Sequence, residues 1–377
     1  MNPVHFNIPY TCSESFDNIK YLIENPILVN EGLYLKKCKA WFEEQYPEHT
    51  AFMTTSCTRA MELISLSLNF SPDDEIILSP FTYVGVGNAF SNYGAKLVYV
   101  DIDVDTMNIN ATLIEAAITQ KTKAIVAMHY ASIPCEMEKI NDICKRYNLI
   151  LIEDNAQGIQ TFYNKQLLGS FGDFSCLSFD ILKNISCNEG GVLLCKNDWL
   201  DRVDVAYNNG TNKTIFAKGL VDKYEWISKG SKFGMSEYTA AVLYPLLEKS
   251  AIIITERKKI WKALFDKITK EETLKEFVPQ KLLDIENNGH IAYLKFKSLK
   301  QRNHVLEFLN KSGIPCSFHY IPLDDSIEGK RISKSNNVCE NSLHESNCLL
   351  RLPMHNYLSE DQQSLIVHAL LSALKNF

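Results

Sequence analysis

The feature that most limits what this chain can become is a series of short apolar, β-prone runs recurring through its first half. They occupy residues 75–78, 96–100, 124–128, 150–152, 174–179 and 192–195, with starts about 20 to 28 residues apart. The gaps leave room for helices near residues 88–92, 112–119 and 138–147. Strand, helix and strand in this succession predict an α/β fold built on a mostly parallel sheet flanked by helices. Parallel neighbours need a crossover, and the crossover is right-handed. No G-x-G-x-x-G follows any of these runs, which weakens a dinucleotide-binding reading.

The rhythm loosens past Val203. Residues 207–212 and 229–234 read as surface loops, and Ser236 opens a long helical stretch toward Asp266 that Pro245 is expected to break. Further on come an expected strand at 291–296, a helix at 302–309, a strand at 316–320, a polar loop at 324–348 and a helix at 360–374. The expected division is a large domain over residues 1–245 and a smaller C-terminal α+β domain over 246–377. Ahead of the sheet, residues 16–27 and 34–46 carry helical apolar spacing, with a break at 30–32.

Charge and composition remove several classes of function. Against 39 Lys and Arg stand 45 Asp and Glu, a net −6 that offers nucleic acid or an anionic membrane no attraction. No apolar run approaches the roughly 18 residues of a membrane span, and the start, MNPVHFNIPYTC, lacks the pattern of a secretory signal. The 11 cysteines include no C-x-x-C pair, and the 9 histidines are dispersed. Neither a disulfide framework nor a metal site is expected, and a reducing cytoplasm is the expected setting.

The chemistry concentrates at the ends of two expected strands. The run at 150–152 ends in Glu153, Asp154 and, after two residues, Gln157, and ligands of open α/β sheets sit beyond the carboxyl ends of strands. The run at 174–179 leads within a few residues to Lys183. A lysine leaving a buried strand is desolvated, and desolvation favours the neutral amine that traps carbonyls. A lysine and an aspartate placed this way suit pyridoxal phosphate: the amine joins the aldehyde, and the carboxylate pairs with the protonated ring nitrogen. Taken singly, Lys183 also reads as an ordinary loop lysine and Asp154 as a helix cap. Earlier, a β-like run at 51–55 passes through Ser56, Cys57 and Thr58 into a helix, an arrangement that binds phosphate at a helix N-terminus or merely caps it. Tyr83, just beyond the first strand of the series, is placed either to cover a planar cofactor or to pack in the core.

Together these pieces resemble the DegT/DnrJ/StrS-type pyridoxal-phosphate sugar-nucleotide aminotransferases, of fold-type I. The resemblance covers nearly the whole chain and rests on SCTRAMEL (56–63), DIDVDTMNI and LIEAAIT (101–119), HYASIPCEM (129–137), IEDNAQG (152–158), SFDILKN with NEGG, GTN with VDKYEW (210–226), FHYIPL (318–323) and LLRLP (349–353). Within the family the likeness is greatest to members that make TDP-4-amino-4,6-dideoxygalactose from the 4-keto-6-deoxy sugar nucleotide, with glutamate as amino donor, for surface polysaccharide or O-antigen. An amination at the 3-position, or a non-catalytic pyridoxal-binding sensor, are the alternatives. The resemblance implies that Lys183 carries the cofactor, Asp154 pairs with its ring nitrogen, and Gln157 lies near its phenolic oxygen. It implies that Thr58, the backbone at Arg59 and Ser178 hold the phosphate, that Tyr83 stacks on the ring, and that His319 lines the sugar-nucleotide side. It also implies a homodimer with shared sites, in which Ser231 or Lys232 of a neighbouring subunit reaches the phosphate. Asp180, Leu182, Asn188, Lys232 and Asp324 depart from the family pattern.

Overall fold

The computed structural model describes residues 3–26, 31–333 and 339–377. Ile27 and Asn30, from the expected first helix and the break after it, lie outside these, as do residues 334–338 of the expected polar loop. The strands are β1 (His49–Thr54), β2 (Glu75–Leu78), β3 (Lys96–Tyr99), β4 (Thr122–Met128), β5 (Ile150–Asp154), β6 (Phe162–Tyr163), β7 (Gln166–Leu167), β8 (Phe174–Ser178), β9 (Gly191–Lys196), β10 (Ala292–Lys295) and β11 (Leu349–Leu352). Seven of them form the main sheet, in the order β1-β9-β8-β5-β4-β2-β3. The neighbours from β3 to β8 are parallel, while β9 runs antiparallel to both β8 and β1. β1, β5 and β8 therefore point the same way and end at one edge of the sheet.

Strands of this sheet are covered on both faces, which is why they read as unbroken apolar runs. In β9, Leu193 and Cys195 join one core cluster with Phe52, Phe174 and Cys176. Val192 and Leu194 join another on the opposite face, with Ala51, Met53 and Leu177. Phe174 is fully buried, and sealing such a ring contributes about 2–3 kcal/mol. Helices Val84–Ser91, Ala111–Ala117 and Met137–Tyr147 supply the crossovers where the spacing placed them.

The C-terminal part pairs β10 with β11 antiparallel, Tyr293 opposite Arg351. Helices Ser250–Thr269, Leu299–Lys311 and Glu360–Lys375 pack around that pair. The last is held at its start by a capping box between Ser359 and Gln362. Trp261, Phe265, Leu294, Leu350 and Ile366 belong to a cluster that also takes in Phe81, Met128 and Tyr130 from the edge of the main sheet. One apolar core thus joins the C-terminal part to the strand ends.

Three expectations are corrected. Pro245 lies inside helix Glu237–Glu248, and the break falls at Lys249, before Ser250–Thr269. Residues 316–320 form no strand: only Ser317 pairs, exchanging backbone hydrogen bonds with Arg351. The expected polar loop holds a 3-10 turn Leu323–Asp325 and helices Ile327–Ile332 and Glu340–Cys348. The buried face of the last helix is made of Ser342, Glu345, Ser346 and Cys348, so it carries little apolar periodicity. Its first turn is tied down instead by Asp101, which accepts from the N–H groups of Asn341 and Ser342 at 2.9 Å.

No helix among the described residues is long and apolar enough to cross a membrane. Among them, no His, Cys, Asp and Glu side chains gather in a group that holds a metal ion.

Candidate active site

At the edge where β1, β5 and β8 end, the chain leaves β1 and enters helix Cys57–Leu68 through Ser56. The Ser56 hydroxyl accepts from the Arg59 N–H at 3.1 Å and fixes the first turn. A Cβ on Gly191, at the start of β9, would lie 2.4 Å from Cys57 N, so only glycine lets the helix start sit on the sheet there. The free N–H groups of that turn and the Thr58 hydroxyl make an anion site. A Cβ on Gly85 would lie 2.6 Å from Thr58 Oγ1 and 2.7 Å from the Tyr83 ring, so this glycine keeps open the space between the two side chains. Tyr83 is 59% exposed, which sets aside its reading as a core residue.

β5 ends in two carboxylates that face opposite ways along the strand. Glu153 accepts the N–H groups of Gly169, Phe171 and Gly172 at 2.7–2.8 Å and pairs with His129 Nε2 at 3.1 Å. Burial alone would raise its pKa, yet His129 and these donors bring it below the ordinary value. The Asp154 carboxylate, also buried, accepts one described bond, from the Ala156 N–H at 3.1 Å. Burial raises its pKa, against the opposing pull of that N–H, Lys183 and His129. A buried carboxylate held this way is stabilised by a cation at its oxygens.

Gln157 lies beyond Asp154, with its Oε1 accepting from the Ala131 N–H at 2.7 Å and its Nε2 donating to Tyr320 Oη at 3.1 Å. Ala131 and Ser132 take left-handed φ values of 53° and 64°, uncommon for residues other than glycine. Gln157 holds the first, and Ser132 Oγ accepts from the Asn288 N–H at 2.9 Å. Such a strained turn at a strand end is characteristic of functional sites.

Lys183 sits in the loop between β8 and β9, closed at its neck by the Phe179 N–H donating to Gly190 O at 2.9 Å. Its own N–H donates to Asp180 O, also at 2.9 Å, so the departing residue Asp180 forms the turn. Burial lowers the amine's pKa, against Cys57, Asp154 and Asp180, and Arg351 lowers it further. Ser178, at the end of β8, is half-buried, with its hydroxyl 3.4 Å from the Asp180 N–H. Asn184 next to the lysine donates to Asn288 O at 3.1 Å and meets His290 Nδ1 at 2.9 Å, which ties the lysine loop to the C-terminal part.

That part supplies the far wall. His319 stacks on Tyr320 with ring centres 4.1 Å apart, and its Nε2 meets Arg351 Nη1. Burial lowers the pKa of His319 well below the ordinary value, and Arg351 and Lys183 add to the effect. Arg351, Tyr320 and His290 are site residues that the sequence reading did not single out. For Arg351 a signal existed: it is the lone charge in the apolar run LLRLP. Ser231 and Lys232 lie in a segment whose next residue, Phe233, accepts from the Thr55 N–H at 3.1 Å and packs under the Arg59 guanidinium. They therefore border the helix start of their own chain, and Lys232 is exposed. No described bond joins either one to Lys183 or Asp154.

These residues fit pyridoxal phosphate. A desolvated amine, a buried carboxylate lacking a full cation, a helix start with a free hydroxyl, and a glycine-lined space beside an exposed tyrosine meet at one edge of the sheet. The comparisons agree. The model of the DegT/DnrJ/EryC1/StrS aminotransferase family matches residues 10–371. The uncharacterized protein MJ1066 of Methanocaldococcus jannaschii is 32% identical over 293 residues, 75% of each chain. The spore coat polysaccharide biosynthesis protein SpsC of Bacillus subtilis is 26% identical, over 98% of this chain and 97% of that one. Among solved structures, Helicobacter pylori PseC, an aminotransferase involved in the biosynthesis of pseudoaminic acid, superposes with a TM-score of 0.90 over all of both chains, at 21% identity. The chain belongs to the DegT/DnrJ/EryC1/StrS aminotransferase family, and it is a pyridoxal-phosphate-dependent sugar aminotransferase.

Proposed function

We propose that this enzyme moves an amino group from glutamate to the 4-keto carbon of a TDP-linked 4-keto-6-deoxyhexose. The product is a 4-amino-4,6-dideoxy sugar nucleotide for a surface polysaccharide such as O-antigen. The observation that carries the reading is the opposition of Asp154 and Lys183: a buried carboxylate at the end of β5 and a desolvated amine after β8, each within electrostatic reach of the other. The names of SpsC and PseC, a polysaccharide biosynthesis protein and an aminotransferase for pseudoaminic acid, support a sugar acceptor.

Bound at this edge, the cofactor supplies an electron sink for the pair left when a carbon next to the transferred nitrogen loses its proton. Lys183 Nζ would take that proton from the donor's α-carbon and hold it for transfer, a general acid/base role served by its lowered pKa. In the second half-reaction it carries a proton the opposite way, to the sugar carbon. Asp154 keeps the ring nitrogen protonated, because a cation there relieves the cost of its own burial. Thr58, the backbone at Arg59 and Ser178 would hold the phosphate, Tyr83 would cover the ring face, and Gln157 would lie near the ring oxygen. His319 lines the sugar-nucleotide side. In a homodimer, Ser231 or Lys232 of one subunit reaches the phosphate in its partner's site.

The test is to incubate the purified holoenzyme with TDP-4-keto-6-deoxyglucose and glutamate and to read the product by NMR. A new C4–N bond with one equivalent of 2-oxoglutarate is expected. Amination at C3, or no product from this sugar, contradicts the assignment of substrate.

A further inference from the structure

Residues 181–186, the middle of the lysine loop, make two kinds of described hydrogen bond. Some close on the loop itself: the Lys183 N–H donates to Asp180 O, the Leu182 N–H to Asp180 Oδ1 and the Asn188 N–H to Ser186 Oγ. Three others reach distant parts of the chain. The Asn7 amide donates to Ile181 O at 2.9 Å, the Asn184 amide donates to Asn288 O at 3.1 Å, and Asn184 Oδ1 meets His290 Nδ1 at 2.9 Å. None of the three goes to the main sheet from which the loop emerges. Ile185 is buried with Leu177 and Phe179 and holds the loop down on that sheet, but apolar contact has no direction. It does not fix how the chain turns at Lys183.

The direction comes from Asn184, the next residue. Its Nδ2 faces a carbonyl, so its Oδ1 is the acceptor turned to the imidazole, and His290 carries its hydrogen on Nδ1. Both side chains are buried. Burial, with Lys183, Arg257, Arg351 and His319 around the ring, holds the pKa of His290 well below its ordinary value. The ring therefore stays neutral near pH 7 and offers Asn184 one N–H. His290 is itself locked: its backbone N–H donates to Asn288 Oδ1 at 3.0 Å, and its carbonyl accepts from Arg257 Nη2 at 3.2 Å. Asn288 in turn donates its N–H to Ser132 Oγ and its amide to Gln157 O and Ile159 O, at 2.8–2.9 Å. One short segment of the C-terminal part thus grips the turn after β4, the loop after β5 and the lysine loop together.

We propose that Asn184 and His290 are a positioning pair for Lys183: the imidazole N–H, carried by the C-terminal part, sets where the neighbouring amine stands at the strand ends. Given Lys183 as the reacting amine proposed above, neither residue touches the reacting atoms; both act through the lysine. An amine that moves protons must stand within hydrogen-bond reach of the carbon concerned. A displacement of about 1 Å costs on the order of a hundredfold in rate. The lysine is referenced to the C-terminal part rather than to its own sheet.

The test compares the pyridoxal-phosphate holoenzymes of wild type, His290→Leu and His290→Asn. Leucine fills the space without a donor, whereas asparagine returns an N–H close to the position of Nδ1. Rapid mixing with L-glutamate reads the single-turnover loss of the cofactor's visible band, normalised to the sites that borohydride traps on Lys183. The rate at saturating glutamate should fall about 10- to 100-fold in His290→Leu, with the half-saturating concentration within about twofold of wild type. The visible circular dichroism of the bound cofactor should weaken in the same variant. His290→Asn should recover both the rate and the dichroism. An unchanged rate in His290→Leu, a loss that asparagine does not restore, or a loss lying wholly in the half-saturating concentration would each overturn the pairing. Should His290→Leu fail to fold, Asn184→Ala removes the acceptor from the loop's side, and the same loss is expected; an unchanged rate there is equally fatal.

Failures of the two proposals are distinguishable. No trapped adduct on Lys183 in wild type removes the assignment of the amine. A wild-type band that glutamate leaves untouched removes the proposed donor, and the dichroism of the three holoenzymes still decides the pairing. A trapped adduct with wild-type rates and dichroism in His290→Leu removes the positioning pair alone.

Discussion

The two carboxylates at the end of β5, one residue apart, are treated in opposite ways. Glu153 faces a pocket that supplies backbone N–H groups from Gly169, Phe171 and Gly172, and an imidazole besides. Asp154 faces the site and receives one N–H. Two of the buried arginines, Arg257 and Arg351, show a similar contrast. Arg257 donates to the carbonyls of Gly289, His290 and Met354 at 2.8–3.2 Å, whereas Arg351 is left with a histidine and a free Nε. Complete satisfaction marks groups that hold the fold together. At the strand ends, incomplete satisfaction suits Asp154 and Arg351 to a ligand, because folding bears the desolvation cost and binding recovers it.

The contrast predicts that substitutions on the two sides fail differently. The largest effect belongs to the site: Lys183→Ala should lower turnover by about four orders of magnitude while the circular dichroism melt stays within a few degrees of wild type. Residual turnover above a few per cent would remove the lysine from the chemistry. On the satisfied side, Glu153→Ala should cost about 3–5 kcal/mol in urea unfolding, since it strands buried donors and His129. A loss under 1 kcal/mol would end the claim that this pocket is structural. Asp154→Asn should do the converse, reducing turnover by about 10²- to 10³-fold with stability of the apoprotein unchanged or improved. Equal losses of stability in the Glu153 and Asp154 variants would erase the distinction between them.

The smallest effect is on pH. Burial holds the pKa of His355 at about 4, below its ordinary 6.5. Below pH 6.5 the unfolded chain therefore takes up a proton that the folded one refuses, so stability is full above that value and falls as pH drops toward 4. The share from this residue is up to about 3 kcal/mol. His355→Gln should flatten the acid limb of a stability-against-pH curve measured by urea unfolding. An acid limb as steep as that of wild type would place the effect in other groups.

How much could be read beforehand follows from where each signal lives. The sheet was legible because both faces of β5, β8 and β9 are buried and their residues run apolar without a break. Asp154, Gln157 and Lys183 were legible because each interrupts or follows such a run. The helices within residues 324–348 were not: Ser342, Glu345 and Ser346 fill the buried face where apolar residues would announce it. Residues 316–320 look like a strand, but pairing needs a neighbour along the whole length, and only Ser317 has one. Arg351 is a charge among leucines, a signal that the sequence reading passed over. Its missing partner left no signal, since that depends on Phe6, Tyr130 and His319 arriving from three distant stretches of the chain.

The central claim is that one amine, at the end of β8, is covalently joined to the cofactor. Borohydride reduction of the purified holoenzyme, followed by proteolysis and mass mapping, reads this directly. A pyridoxyl-phosphate adduct on the peptide containing Lys183, and its absence from Lys183→Ala, is the predicted result. An adduct on a different lysine, or a wild-type protein that takes up no cofactor when it is supplied, would contradict the account.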